Sequence, residues 1–154
     1  MPVTAQAPDR SWRRALRRWL GAGAVAATAL TAAGCGDTVG PGSRELIGQY
    51  SADQLLLDYT TFQEDLLQEG AYLDIELHSN GTTTGELYVP NGAENGGDLY
   101  ERMDGTWRRS GSVVTFSQNA DTFVRDMDFV VQGDQLVGDE MFGGVRVRVV
   151  LTRF

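Results

Sequence analysis

The chain has 154 residues, a length that suits a single domain, and a formal net charge of −8 at pH 7. Residues 1–34 contain five arginines and one aspartate, so they carry +4 and residues 35–154 carry −12. Such an acidic domain repels phosphate backbones, which argues against nucleic acid as a partner. The single cysteine excludes an internal disulfide and a cysteine-based zinc cluster.

The first predicted element is an export leader over residues 1–34. Arginines at positions 13, 14, 17 and 18 give it a positive start, and residues 19–33 then contain no charged side chain. An apolar run of this length is typical of a signal peptide and is shorter than the roughly 20 residues that span a bilayer. We therefore expect a signal-peptide helix here. The pair Arg13-Arg14 leaves open whether export follows the general secretory or the twin-arginine route.

The small residues Ala32, Ala33 and Gly34 directly precede Cys35. Together with the leader, this junction resembles a bacterial lipoprotein signal peptide. The resemblance implies cleavage before Cys35 and a diacylglyceryl thioether on its sulfur, with fatty acyl chains such as palmitate. Each buried CH₂ contributes about 0.8 kcal/mol, so two or three chains would hold the protein on a membrane. The alternatives are an ordinary secretory signal or an uncleaved helical anchor.

These features predict an exported protein anchored in the bacterial cell envelope. Residues 35–44 are expected to form the lipidated cysteine and a flexible tether, since glycine and proline disfavour regular structure there. The sequence does not distinguish the inner from the outer membrane.

The rest of the chain alternates apolar and polar residues between tight-turn dipeptides, a pattern typical of antiparallel β-strands. The clearest turns are Asn80-Gly81, Ser110-Gly111, Gly133-Asp134 and Gly143-Gly144. The predicted strands are 46–57, 71–79, 83–90, 99–109, 112–118, 122–132, 135–142 and 145–153. A capping-box pattern at residues 61–64 followed by Gly70 favours one short helix over 62–69, with an irregular loop as the alternative.

An eight-stranded all-β meander of this size either closes into a barrel or packs as a sandwich, and closure removes exposed edges. Gly48-Gln49-Tyr50 resembles the Gly-x-Trp motif of lipocalins, with Tyr in place of Trp, and Gly105-Thr106-Trp107 is a second motif of this kind. Arg153 lies in the last strand, where lipocalins place an arginine over that aromatic ring. Residues 45–154 thus resemble the lipocalin-like small lipoproteins of bacteria, which implies an up-and-down antiparallel barrel.

The interior of such a barrel is either filled by side chains or holds one small ligand. The candidate lining residues are Tyr50, Trp107, Phe116, Met127 and Phe129. Two functions follow: a barrel that binds a small hydrophobic ligand, or a structural or interaction lipoprotein with a solid core that binds an envelope partner. The sequence leaves the oligomeric state open.

Catalytic chemistry finds little support in the sequence. His78 is the only histidine and shares its strand face with Asp74 and Glu76, a common composition for a solvated surface. Asp126 and Asp128 are expected to form a hydrated strand face, and the polar run 91–98 does not follow the calcium-loop spacing. We therefore expect no catalytic residue, no metal and no cofactor, and a protein that is not an enzyme.

Overall fold

The computed structural model describes residues 43–93 and 96–154. The predicted signal-peptide helix, Cys35 and the tether as far as residue 42 lie outside the described residues. The elements are a 3₁₀ turn at Arg44–Leu46 and the strands β1 Gly48–Asp58, β2 Gln63–Asp65, β3 Tyr72–Leu77, β4 Thr82–Val89, β5 Leu99–Arg102, β6 Gly105–Ser110, β7 Val113–Gln118, β8 Asp128–Gln132, β9 Gln135–Phe142 and β10 Val145–Arg153.

The strands form a closed antiparallel barrel, which confirms the all-β prediction. Eight strands follow one another around the wall in the order β1, β3, β4, β6, β7, β8, β9 and β10. The last strand pairs with the first from Tyr50↔Arg153 to Asp58↔Arg146, with one bulge between Ala52 and Gln54. Closure leaves the wall without an open edge between its first and last strands.

The two remaining strands extend the wall at one end. β2 pairs with Leu56–Asp58 of β1. β5 and β6 lie along the same edge of β4 and are separated only by Met103 and Asp104. The single predicted strand 99–109 therefore corresponds to this bent pair.

Gly85 permits the close approach of β4 to β3 near this bend. A Cβ at this position would lie 2.1 Å from the backbone oxygen of Asp74, and its φ is +149°. Only glycine accommodates both the contact and the backbone conformation without strain. On the other side of β4, the amide of Met103 donates to the carbonyl of Gly85 at 2.9 Å.

The antiparallel order gives the barrel two distinct ends. At the N-terminal end, the 3₁₀ turn lies beside the β3–β4, β6–β7 and β8–β9 hairpins, and Leu46 is buried in the core. The far end carries β2, β5, the β9–β10 hairpin and the segment 119–127. The predicted turn glycines at 81, 111, 133 and 143 all have positive φ values, as tight hairpins require.

The helix predicted over 62–69 is wrong. Gln63–Asp65 pairs as a strand with β1, and the next residues form turns in which the amides of Glu69 and Gly70 donate to the carbonyls of Leu66 and Leu67. The Leu66 amide donates to the carbonyl of Leu55 at 2.9 Å, which ties this segment to β1. Pairing with a long neighbouring strand outweighs a weak local helix preference.

The strand predicted over 122–132 begins only at Asp128. Residues 122–126 form a turn instead, in which the amides of Arg125 and Asp126 donate to the carbonyls of Thr122 and Phe123. This turn directs Val124 and Met127 into the core, where both are buried. The free energy gained by burying these two apolar side chains offsets the strand pairing that is lost here.

Candidate functional site

The five predicted interior residues all lie in one hydrophobic core and are almost completely buried. Tyr50, Trp107, Phe116, Met127 and Phe129 are only 0–4% exposed. A side chain that borders a water-sized void keeps accessible surface on that void, so these side chains are covered by protein atoms. The predicted lining residues are therefore brought together as packing, and their ligand-binding role stays a prediction.

Close contacts around Gly138 on β9 support this packing. A Cβ added at Gly138 would lie 2.9 Å from both Met127 Cε and Phe129 Cε1. The rings of Phe116 and Phe129 meet edge to face, with centroids 5.2 Å apart and planes at 77°. Contacts of this kind are those of a filled protein interior.

Tyr50 and Arg153 are directly opposite in the β1–β10 pairing. The Tyr50 hydroxyl donates to the Leu46 carbonyl at 2.9 Å, and the Arg153 guanidinium donates to the carbonyl of Glu45. Burial raises the pKa of Tyr50, and the nearby Arg153 charge opposes that shift. These contacts fix the chain as it enters the barrel at its N-terminal end.

His78 lies on the outer wall with a carboxylate on one side and a hydroxyl on the other. Its Nε2 is 3.0 Å from Thr84 Oγ1, and its Nδ1 is 3.5 Å from Glu76 Oε1. Hydroxyl, imidazole and carboxylate follow one another in the same order in sites of nucleophilic catalysis. Such sites also need hydrogen-bond donors that point at the oxyanion formed during the reaction. Thr84 lies opposite Glu76 in the β3–β4 pairing, inside the sheet, where backbone N–H groups are used in strand pairing. These two contacts orient the His78 ring on the outer wall.

The other carboxylates singled out in the sequence are paired or dispersed. Asp126 accepts a hydrogen bond from Arg125 Nε at 3.1 Å. Asp128 on β8 lies opposite Thr115 on β7. Across residues 43–93 and 96–154, no group of three or more histidine, cysteine or acidic side chains is placed to hold a metal ion. The same residues contain no helix that is both long and apolar enough to cross a bilayer.

A groove of about 270 Å³ lies on the outer wall over β1 and β10. Its lining consists of Gln54, Leu56, Asp58, Gln63, Arg146 and Arg148. The groove contains two guanidinium groups, those of Arg146 and Arg148. Arg146 donates two hydrogen bonds to Asp139, at 2.6 and 2.8 Å, so its positive charge is already neutralised. The hydrogen bonds from Arg146 lower the pKa of Asp139.

A row of three tyrosines crosses the outer face at the far end, and sequence reasoning did not find it. Tyr72 lies directly opposite Tyr88 in the β3–β4 pairing, and Tyr88 lies directly opposite Tyr100 in the β4–β5 pairing. The rings of Tyr72 and Tyr88 stack with centroids 5.5 Å apart. Tyr72 is 37% exposed and Tyr100 is 52% exposed, so the row presents aromatic surface to solvent.

Carboxylates hold the hydroxyl ends of these tyrosines. Tyr88 donates to Asp98 at 2.9 Å, and Tyr72 donates to Glu86 at 3.5 Å. Hydrogen bonding to Asp98 raises the pKa of Tyr88, and hydrogen bonding to Glu86 raises that of Tyr100. Asp98 is itself held by the backbone amide of Asn91, and this bond lowers the pKa of the Asp98 carboxyl.

Comparison with known proteins adds no family to this description. No protein-family model matches the chain, and neither a curated protein nor a solved structure matches it.

Proposed function

We propose that this protein is a membrane-anchored lipoprotein of the bacterial cell envelope, whose lipocalin-like barrel acts as a non-enzymatic interaction module. The observation that carries the proposal is the packed interior, in which the predicted lining side chains are at most 4% exposed. Such burial supports an interior filled by side chains rather than by a ligand, so we assign binding to the outer surface of the barrel.

The proposed anchor is supported by the sequence around Cys35. A positive start, an uncharged apolar run and three small residues precede this single cysteine. The described chain begins at Ser43, at the N-terminal end of the barrel. The seven residues between Cys35 and Ser43 could extend about 25 Å at most, so the barrel would stay close to the membrane surface.

Cys35→Ala tests the anchor. The wild-type chain is expected in the membrane fraction, with a mass that shows loss of residues 1–34 and addition of acyl chains. The variant is expected to leave that fraction, because no other cysteine can accept the lipid. Absence of acyl mass in the wild type, together with identical partitioning of the two proteins, would contradict the proposal.

A titration with a fatty-acid-like probe tests the packed interior against the alternative ligand carrier. Trp107 is the only tryptophan after Cys35, is buried, and donates from Nε1 to the His78 carbonyl at 3.0 Å. We expect no saturable change in its fluorescence at micromolar probe. A saturable change would favour a barrel that carries a small hydrophobic ligand.

A further inference from the structure

We define the tyrosine surface as Tyr72, Tyr88 and Tyr100 with the flanking Asp74, Glu86 and Asp98. It lies on the outer face of the sheet at β3, β4 and β5. We propose that the tyrosine surface binds a basic, extended segment of a partner protein. The inference rests on the proposed function only in placing binding on the outside of the barrel.

The three tyrosine rings lie side by side in one row across β3, β4 and β5. Single exposed apolar side chains are ordinary on protein surfaces, and a pair of rings on neighbouring strands stabilises a sheet. Stacking with Tyr88 accounts for Tyr72 in this way. Tyr100 lies at the end of the row and remains half exposed. Tyrosines that are clustered and accessible are typical of residues that dominate protein interfaces.

The carboxylates of the tyrosine surface give it a negative charge. Asp74 and Glu86 lie directly opposite each other in the β3–β4 pairing, an arrangement of like charges that destabilises a sheet. Arg102 lies opposite Glu86, but its Nε is 3.0 Å from the Asp104 carboxylate. A positively charged side chain from a partner would relieve this repulsion and would also be attracted to the tyrosine ring faces.

One edge of β5 borders the tyrosine surface. This strand pairs with β4 alone among the described strands, so its other side carries backbone groups that no described strand uses. Tyr100 and Arg102 share its outer face, next to that edge. An extended peptide added there would place alternate side chains beside Tyr100, at the end of the tyrosine surface. A basic strand is therefore the occupant that fits the rings, the charge and the edge together.

The test compares ring removal with a matched change on another wall. The probe is a fluorescein-labelled peptide of nine arginines, titrated at 150 mM NaCl with the full chain in non-ionic detergent and followed by anisotropy. The variant Tyr72→Thr/Tyr100→Thr removes two rings and keeps the net charge. The control Val130→Thr/Met141→Thr changes two side chains that are 40% and 59% exposed on β8 and β9.

We expect saturable binding that is about tenfold weaker in the tyrosine variant, equivalent to about 1.4 kcal/mol from two exposed ring contacts. The control should bind like the wild type. Equal affinity in all three proteins would mean unspecific attraction to the net charge and would overturn the proposal. Absence of saturable binding to the wild type would overturn it as well.

A neutral saccharide, the fully N-acetylated form of chitohexaose, serves as the competing probe and is called chitohexaose below. Saturable chitohexaose binding that is lost in the tyrosine variant, without peptide binding, would assign the surface to a sugar and overturn the basic partner. If the double variant melts well below the wild type, Tyr100→Thr alone replaces it, because Tyr100 is the most exposed of the three. The Cys35→Ala fractionation and the fatty-acid titration do not involve this surface, so their outcomes separate the two proposals.

Discussion

Phe129→Ala tests the packed core most directly. Phe129 is fully buried on β8, and its ring meets Phe116 edge to face at 5.2 Å. Removing such a ring typically costs about 3–5 kcal/mol, because transfer free energy is lost and a cavity remains. The ring pair accounts for about 0.5–1.5 kcal/mol of that cost. A native stability of about 5–15 kcal/mol would be reduced substantially but not always abolished.

Urea denaturation followed by Trp107 fluorescence measures this loss. Val130→Ala is the matched control, since Val130 is the next residue on the same strand and is 40% exposed on the outer face. We expect it to change the free energy of unfolding by no more than about 0.5 kcal/mol. The Phe129→Ala cavity should also bind benzene, as apolar cavities of this kind do. A loss below about 1 kcal/mol, or benzene binding to the wild type, would refute the filled interior and favour a ligand cavity.

Two further predictions concern the wall. Gly85→Ala should cost at least about 2 kcal/mol, because the added Cβ would lie 2.1 Å from a backbone oxygen at a positive φ. Gly111→Ala is the control, because a Cβ added there has no atom within 4 Å. Thermal denaturation compares the two variants, and equal melting temperatures would contradict the predicted cost at Gly85. Hydrogen bonds from Arg146 lower the pKa of Asp139 below 3.8, so their stabilisation is present above pH 3.8 and is lost as the pH falls through the lowered pKa. Asp139→Asn should remove this contribution to the pH dependence of stability, which we expect to be less than about 1 kcal/mol. An unchanged pH profile of stability in the variant would rule the contribution out.

Most of the wall could be predicted from the sequence because its signals are local. Alternation along Leu73, Ile75 and Leu77 and the glycine of each hairpin depend on neighbouring residues only. Closure required one global argument, the instability of an open edge, and the β1–β10 pairing confirms it. Arg153 lies opposite Tyr50 in that pairing.

The errors arise where distant pairing or burial decides the local structure. Residues 63–65 have the polar composition of a helix start. They form a strand instead, because Leu56–Asp58 of β1 pair with β10 on one side and with residues 63–65 on the other. Residues 122–127 carry the alternation of a strand, yet Val124 and Met127 gain more by entering the core through a turn. Neither outcome can be read from a window of neighbouring residues.

The tyrosine surface escaped prediction for a related reason. Each of Tyr72, Tyr88 and Tyr100 occupies an outward position in its own strand, where a single tyrosine is unremarkable. Their alignment depends on the register of two strand pairings, and the second of these is made by β5 after a long loop. A search of the paired strands for aromatic residues at opposite positions would have found the row once the hairpin registers were assumed.

The positions of the proposed anchor and the tyrosine surface are linked by the antiparallel order of the strands. β4 begins at Thr82 near the N-terminal end, where Ser43 also lies, and it carries Tyr88 towards the far end. Six residues of extended strand separate these two positions by about 20 Å. A lipid on Cys35 would therefore hold the N-terminal end nearest the membrane and leave the tyrosine surface nearer the opposite end. In the proposed arrangement, this outward aromatic and acidic face would remain accessible to a partner in the envelope.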